Sequence, residues 1–184
     1  MIFEEKRITL KDGRTCTLRA ADAPDAAAMI DCLRTVSGET PFLARNADEV
    51  AYTLEEEASI LTGKRSNPRE FMMVAEVDGV IAGNCGVGSK GGRRRVVHRC
   101  GFGIALKAAY WHLGIGSAMM AYAISLAKAM SYEQMELEVV DGNDRAMRLY
   151  EHFGFRTTGT NPRALKYDDG SYRDEHQMVK LLGG

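Results

Sequence analysis

A chain of 184 residues with 45% apolar and 27% charged side chains is long enough to bury one sizeable core and ordinary for a globular domain. Its net charge of -1 excludes a global electrostatic pull toward nucleic acid or an anionic membrane. No apolar run approaches the length of a membrane span, and Met1 to Arg7 lack a signal-peptide core, so a cytoplasmic location is the expectation. The four cysteines, Cys16, Cys32, Cys85 and Cys100, are widely spaced, with no C-x-x-C pair and no zinc-ligand pattern. They read as buried free thiols, and no metal is expected.

In chain order, residues 14–19 alternate as a strand. A helix follows to about residue 35, with Asp22 as its cap and Pro24 in its first turn. Residues 37–46 read as a loop. Residues 47–61 read as a second helix, with Val50, Leu54, Ala58 and Leu61 on one stripe. Residues 70–77 and 80–87 are apolar strands joined by Asp78-Gly79, a strong hairpin signal. A glycine-rich, basic turn at 88–94 precedes a strand over 95–106. Arg93-Arg94-Arg95 with Lys90 reads as a solvated hairpin tip, or alternatively as a patch attracting an acidic partner or phosphates.

The segment Tyr110-Trp111-His112-Leu113-Gly114-Ile115-Gly116-Ser117 then carries two glycines two apart. Behind it, Ile115, Met119, Tyr122, Leu126 and Met130 recur at helical spacing. Glycine lets a backbone approach a ligand closely, and a helix start offers unpaired N–H groups and partial positive charge. Strand, glycine loop and helix start together make an anion cradle, usually for phosphate. A strand over 134–140, a helix over 144–153 and a final strand pair over 156–165 and 172–181 complete the chain. The order β-α-α-β-β-β-α-β-α-β-β, without repeats or linkers, predicts one domain over residues 1–184. It is a mixed sheet with helices on both faces.

The glycine loop followed by Asn143, Ala146, Leu149-Tyr150 and Gly154-Phe155 resembles the GCN5-related N-acetyltransferase (GNAT) superfamily. The loop is similar to that family's acyl-CoA pyrophosphate motif, Gln/Arg-x-x-Gly-x-Gly/Ala. The later residues match its N-x-x-A-x-x-L-Y-x-x-x-G-F signature. Trp111 departs from the pattern by standing where Gln or Arg is usual. The resemblance implies a single-domain α/β fold with a mixed, mostly antiparallel sheet and a splayed parallel pair of strands. It implies transfer of an acetyl group from acetyl-CoA to a primary amine by direct attack in a ternary complex. The acceptor is a small molecule or a protein N-terminal amine, with no nucleic acid or membrane partner. A homodimer is compatible with that reading.

Within the resemblance, amides around Leu113, Gly114, Ile115, Gly116 and Ser117 hold the pyrophosphate. The segment 102–106, including Ile104 and Leu106, pairs with the pantetheine arm. Asn143 bonds that arm, or alternatively only caps its helix. Tyr150 is the general-acid candidate, because a phenol is neutral and carries a donor proton near neutral pH. Gly101 and Gly103 fit close approach of another backbone, or a β-bulge. For the base, His98 is the titratable side chain on the strand face of Val96, Cys100, Phe102, Ile104 and Leu106; a packed or solvated histidine is the alternative. Glu39 could hold the acceptor ammonium or take its proton, or lie solvated in its loop. Cys100 reads as small packing, and Glu76, Glu136 and Glu138 as structural or solvent-facing. A catalytically silent acyl-CoA sensor is the rival reading. A dinucleotide-binding oxidoreductase would need a third loop glycine where Met119 stands.

Overall fold

A computed structural model describes residues 1–183. Eight strands form one sheet in the order β1-β2-β3-β4-β5-β6-β8-β7. They are β1 (Lys6–Thr9), β2 (Thr15–Ala20), β3 (Phe71–Val77), β4 (Val80–Ser89), β5 (Arg99–Leu106), β6 (Gln134–Val140), β7 (Arg156–Lys166) and β8 (Tyr172–Leu181). Every neighbouring pair is antiparallel except β5 and β6. Four helices cover the sheet: α1 (Ala26–Glu39), α2 (Leu54–Ser66), α3 (Ile115–Ala129) and α4 (Asp144–His152). The expected mixed, mostly antiparallel single-domain fold is what forms.

Alternation along the strands divides the core in two. Phe71, Met73, Ala75 and Val77 of β3 face one side, where Ile115, Met119 and Met120 of α3 and Tyr150 of α4 pack. Val74 faces the other, with Met29, Cys32 and Val36 of α1 and Leu61 of α2. Asp78 and Gly79 both adopt positive φ, 51° and 76°, giving the tight turn that the right-handed strand twist favours. Asp22 accepts the Ala23 N–H, and Asp25 answers from three residues on, ahead of α1. Thr53 and Glu56 form a reciprocal cap on α2.

Four boundaries differ from the sequence expectation. The short, charged edge strand β1 was not foreseen, because four largely exposed residues give little periodic signal. Residues 95–98 form turns, and β5 starts at Arg99; the apolar pair Val96-Val97 had extended the strand too far. Residues 47–49 are a separate 3-10 turn, while α2 starts at Leu54 and continues through Gly63. Leu54, now the first helical residue, is exposed at 59%, so the expected stripe is fully buried within α2 only at Leu61. Residues 37–39 are the last turn of α1, not loop.

Candidate active site

β5 and β6 run side by side for only three residue pairs, Arg99 with Gln134, Cys100 with Met135 and Gly101 with Glu136. Beyond them β5 stays on β4 to Leu106, and β6 stays on β8 to Val140. The two strands therefore part, and a cleft of about 430 Å³ opens between Phe102–Leu106 and Glu138–Val140.

The glycine loop closes one end of that cleft. Gly114 caps α3 in the left-handed region at φ 93°, where other residues are strained. The helix's first internal bond runs from the Ala118 N–H to the Gly114 carbonyl. The amides of Ile115, Gly116 and Ser117 thus have no helical partner, and all three residues line the cleft. A Cβ at Gly116 would sit 3.4 Å from Leu106 Cδ1, so this turn packs tightly on the end of β5. Ile115 is itself a core anchor, 1% exposed. Leu113 packs against the core rather than lining the cleft, and its carbonyl accepts the Lys11 N–H at 3.4 Å. Ile104 and Leu106 line the cleft from β5.

α4 supplies the opposite wall. Asn143 caps it, Oδ1 accepting the Ala146 N–H at 3.3 Å, which leaves the amide NH2 free toward the cleft. The two roles expected of Asn143 are therefore compatible. Tyr150 is 7% exposed and also lines the cleft. Burial pushes its phenol up to about 12, with the Arg145 charge pulling weakly the other way. Its hydroxyl has no hydrogen-bond partner among the described residues, and it stays protonated through the ordinary pH range.

Residues 34–155 match the model of the acetyltransferase (GNAT) family. The chain belongs to that family. A GNAT-family acetyltransferase structure from Streptococcus pneumoniae is 30% identical with a TM-score of 0.86, covering 90% of this chain and 99% of that one. The L-amino acid N-acetyltransferase AaaT of Escherichia coli is 29% identical over 111 residues, 59% of this chain and 67% of that protein. The phosphinothricin N-acetyltransferase of Streptomyces viridochromogenes is 27% identical over 111 residues, 60% of each chain. A GNAT phosphinothricin acetyltransferase from Sinorhizobium meliloti, solved with acetyl-CoA, shares the fold at TM-score 0.80 and 19% identity, over 96% of this chain and 90% of that one.

In this GNAT chain a second groove, of about 550 Å³, lies on the α1–α2 face. It meets the cleft at Phe102–Ala105 and Glu138, which line both. Its floor is bare of side chains where Gly86 pairs with Gly103 and Gly88 with Gly101. The register there runs without a bulge, and a Cβ at Gly103 would meet nothing within 4 Å. Val36, Leu43, Arg45, Lys64 and Lys90 form its walls.

The acid–base candidates fall differently from the sequence reading. His98 lies in the turn before β5, where its carbonyl accepts the N–H groups of Glu133 and Gln134. It lines neither the cleft nor the groove, and it precedes Phe102 by four residues, roughly 13 Å of extended chain. The strand face on which it was read does not reach it. Glu39 ends α1, and its carboxylate accepts the Ala108 N–H at 2.6 Å, tying the helix to the turn after β5. It too lies outside both linings. Glu136 is occupied by Arg99, Lys90 and Gln134. Glu138 is exposed, has no ion-pair or hydrogen-bond partner among the described residues, and faces the point where the strands part. The sequence carried no signal for it, because its place two residues beyond the last β5–β6 pair is set by strand pairing. Cys100 is fully buried and burial holds its thiol up at about 12, so it is no nucleophile.

Proposed function

We propose that the chain transfers the acetyl group of acetyl-CoA to a primary amine by direct attack within a ternary complex. The observation that carries the reading is the parting of β5 and β6 beside the α3 loop, with a protonated phenol lining the cleft and an unpaired carboxylate where cleft and groove meet. The amides of Ile115, Gly116 and Ser117 hold the pyrophosphate, and the pantetheine arm lies along Phe102–Leu106, bonded by Asn143. That arrangement delivers the thioester to the mouth of the second groove. The amine arrives there from the α1–α2 side.

Attack requires a neutral amine. Glu138, directly or through a water, takes the proton from the acceptor ammonium. The nitrogen then forms its bond to the acyl carbon, the C–S bond breaks, Tyr150 protonates the departing thiolate, and the now cationic nitrogen releases its surplus proton to water to leave the neutral amide. The phenolate regains a proton from solvent. His98 and Glu39, the candidates that the sequence offered with a packed or solvated role as the alternative, have no part in this scheme.

The relatives named for L-amino acids and phosphinothricin support an amino acid as acceptor. The test is release of free thiol from acetyl-CoA across a panel of L-amino acids, phosphinothricin and peptides with a free N-terminus. Turnover with a subset of the panel is the expected result. Tight CoA binding with no turnover on any amine would replace this reading with the silent sensor.

A further inference from the structure

Trp111 stands three residues before Gly114, where the motif elsewhere has a long polar or cationic side chain. Its single N–H is already used, since Nε1 donates to the Leu106 carbonyl at 2.8 Å. The indole is thereby fixed between the end of β5 and the cleft. The guanidinium of Arg145, from the first turn of α4, lies on its face, Cζ 3.3 Å from the ring centroid. Both residues line the cleft together with Gly114 and Gly116. Arg145 has no carboxylate and no hydrogen-bond partner among the described residues, unlike Arg14, Arg19 and Arg99, which pair with acids.

A guanidinium stacked flat on an aromatic ring keeps its N–H groups in plane, pointing outward. That geometry suits two parallel bonds to a phosphate. Stacking also fixes the side chain before a ligand arrives, so less freedom is lost on binding. Stack and anion contact are compatible because they use the face and the edge of the same group.

We propose that Arg145, held on Trp111, is the cationic clamp on the diphosphate of the acyl-CoA. It acts across the cleft from the first-turn amides of α3. The amides recognise oxygen; Arg145 supplies the full charge that position 111 lacks. The diphosphate, rather than the ribose 3′-phosphate, is the target because Trp111 runs directly into the glycine loop. The inference rests on the acyl-CoA reading above. Lys11 also lines the cleft, from an exposed turn, with no hydrogen-bond or ion-pair partner for its side chain among the described residues, and serves as the control.

Trp111 is the chain's one tryptophan, so its emission reports the site directly. Titrating the parent with CoA should change that emission. Arg145→Gln, shown folded by circular dichroism, should weaken CoA by roughly ten- to a hundredfold, the scale of a charged hydrogen-bonded contact. 3′-Dephospho-CoA should lose as much, because it keeps the diphosphate. Pantetheine, which has no phosphate, should lose nothing. Arg145→Lys should fall between, and Lys11→Gln should cost less than Arg145→Gln. A folded Arg145→Gln that binds CoA as the parent does overturns the proposal, as does a loss equal for pantetheine. A loss seen with CoA but absent with 3′-dephospho-CoA reassigns Arg145 to the 3′-phosphate and overturns it equally. If the parent itself binds no CoA by calorimetry, the acyl-CoA reading fails, and that outcome is separate from these.

Discussion

The two sides of the β5–β6 wedge are built on different principles. On the cleft side, the groups offered to a ligand are mainly backbone amides, held by the left-handed Gly114 and the first turn of α3. On the groove side they are side chains gathered from α1, the loop behind it, α2, the β4–β5 turn and β6, over a floor of glycines. Backbone geometry depends on conformation, so a residue as large as Trp111 leaves the left-handed Gly114 and the unpaired first-turn amides in place. Side-chain recognition changes with every residue. The first arrangement suits a cosubstrate common to a family, and the second suits an acceptor that differs from one member to the next.

The largest effect should come from breaking the backbone side. Gly114→Asp forces a residue with a Cβ into φ 93° and aims a carboxylate at the phosphate site. Gly116→Asp adds the same charge and pushes on Leu106 and Leu149. Each should lower CoA affinity by roughly thirtyfold or more, since charge repulsion and a strained backbone or crowded packing, each costing about 1 kcal/mol or more, combine to about 2 kcal/mol. Gly114→Ala separates them, because a Cβ there meets nothing within 4 Å and only the backbone conformation is penalised. Parental CoA binding by a folded Asp variant would show that the loop is not the cradle.

Next comes the leaving group. Tyr150→Phe keeps the ring against Phe155 and removes the hydroxyl alone. Turnover should fall by roughly ten- to a thousandfold with little change in acetyl-CoA affinity, and the loss should shrink with a better-leaving thiol. The pH profile carries a sign. The acceptor must lose a proton, so the rate rises with pH. The acid must keep one, and Tyr150 with its pKa near 12 keeps it throughout, so the parent should show a rise and plateau without an alkaline fall below about pH 10. A fall beginning near neutrality would assign the acid to another group.

How much of this was legible in the sequence follows the same division. Gly114 and Gly116 could be read from local backbone rules, and Asn143 and Tyr150 from one helix face together with the family resemblance; all four line the cleft. The hairpin at Asp78-Gly79 and the apolar stripe of α3 were legible from local rules as well. Glu138, Arg145 and the pairing of Gly101 and Gly103 with Gly88 and Gly86 were not. Glu138 matters only because β5 leaves β6 after Gly101, and Arg145 only because its guanidinium reaches an indole 34 positions earlier in the chain. Those are facts of pairing and packing between distant segments. His98 was misplaced by the opposite error: a local pattern was extended through Val96-Val97, which the chain uses for a turn.

A smaller effect should separate the carboxylates on the groove side. Glu138→Gln should reduce kcat/KM for the amine by roughly ten- to a hundredfold and move the rising limb of the pH profile. His98→Ala should leave both unchanged, because the residue lies outside cleft and groove. If His98→Ala lost activity while Glu138→Gln kept it, the assignment of the base would be reversed.

The smallest effect is expected at Glu39. Its carboxylate accepts one backbone N–H, from Ala108, at an exposed position. Glu39→Gln keeps an oxygen there, so activity should stay within about twofold and stability within about 0.5 kcal/mol. Glu39→Ala removes the acceptor, but water can reach the freed N–H, and the cost should be about 0.5–1 kcal/mol in a denaturant midpoint with the slope unchanged. The pair of variants distinguishes a strap from a base. A strap is sensitive to loss of the acceptor oxygen and indifferent to loss of charge, whereas a base is sensitive to loss of charge. If Glu39→Gln lowers turnover as far as Glu138→Gln does, the carboxylate at the end of α1 takes part in the chemistry, and the acceptor amine sits nearer that helix end than the groove over the glycine floor implies.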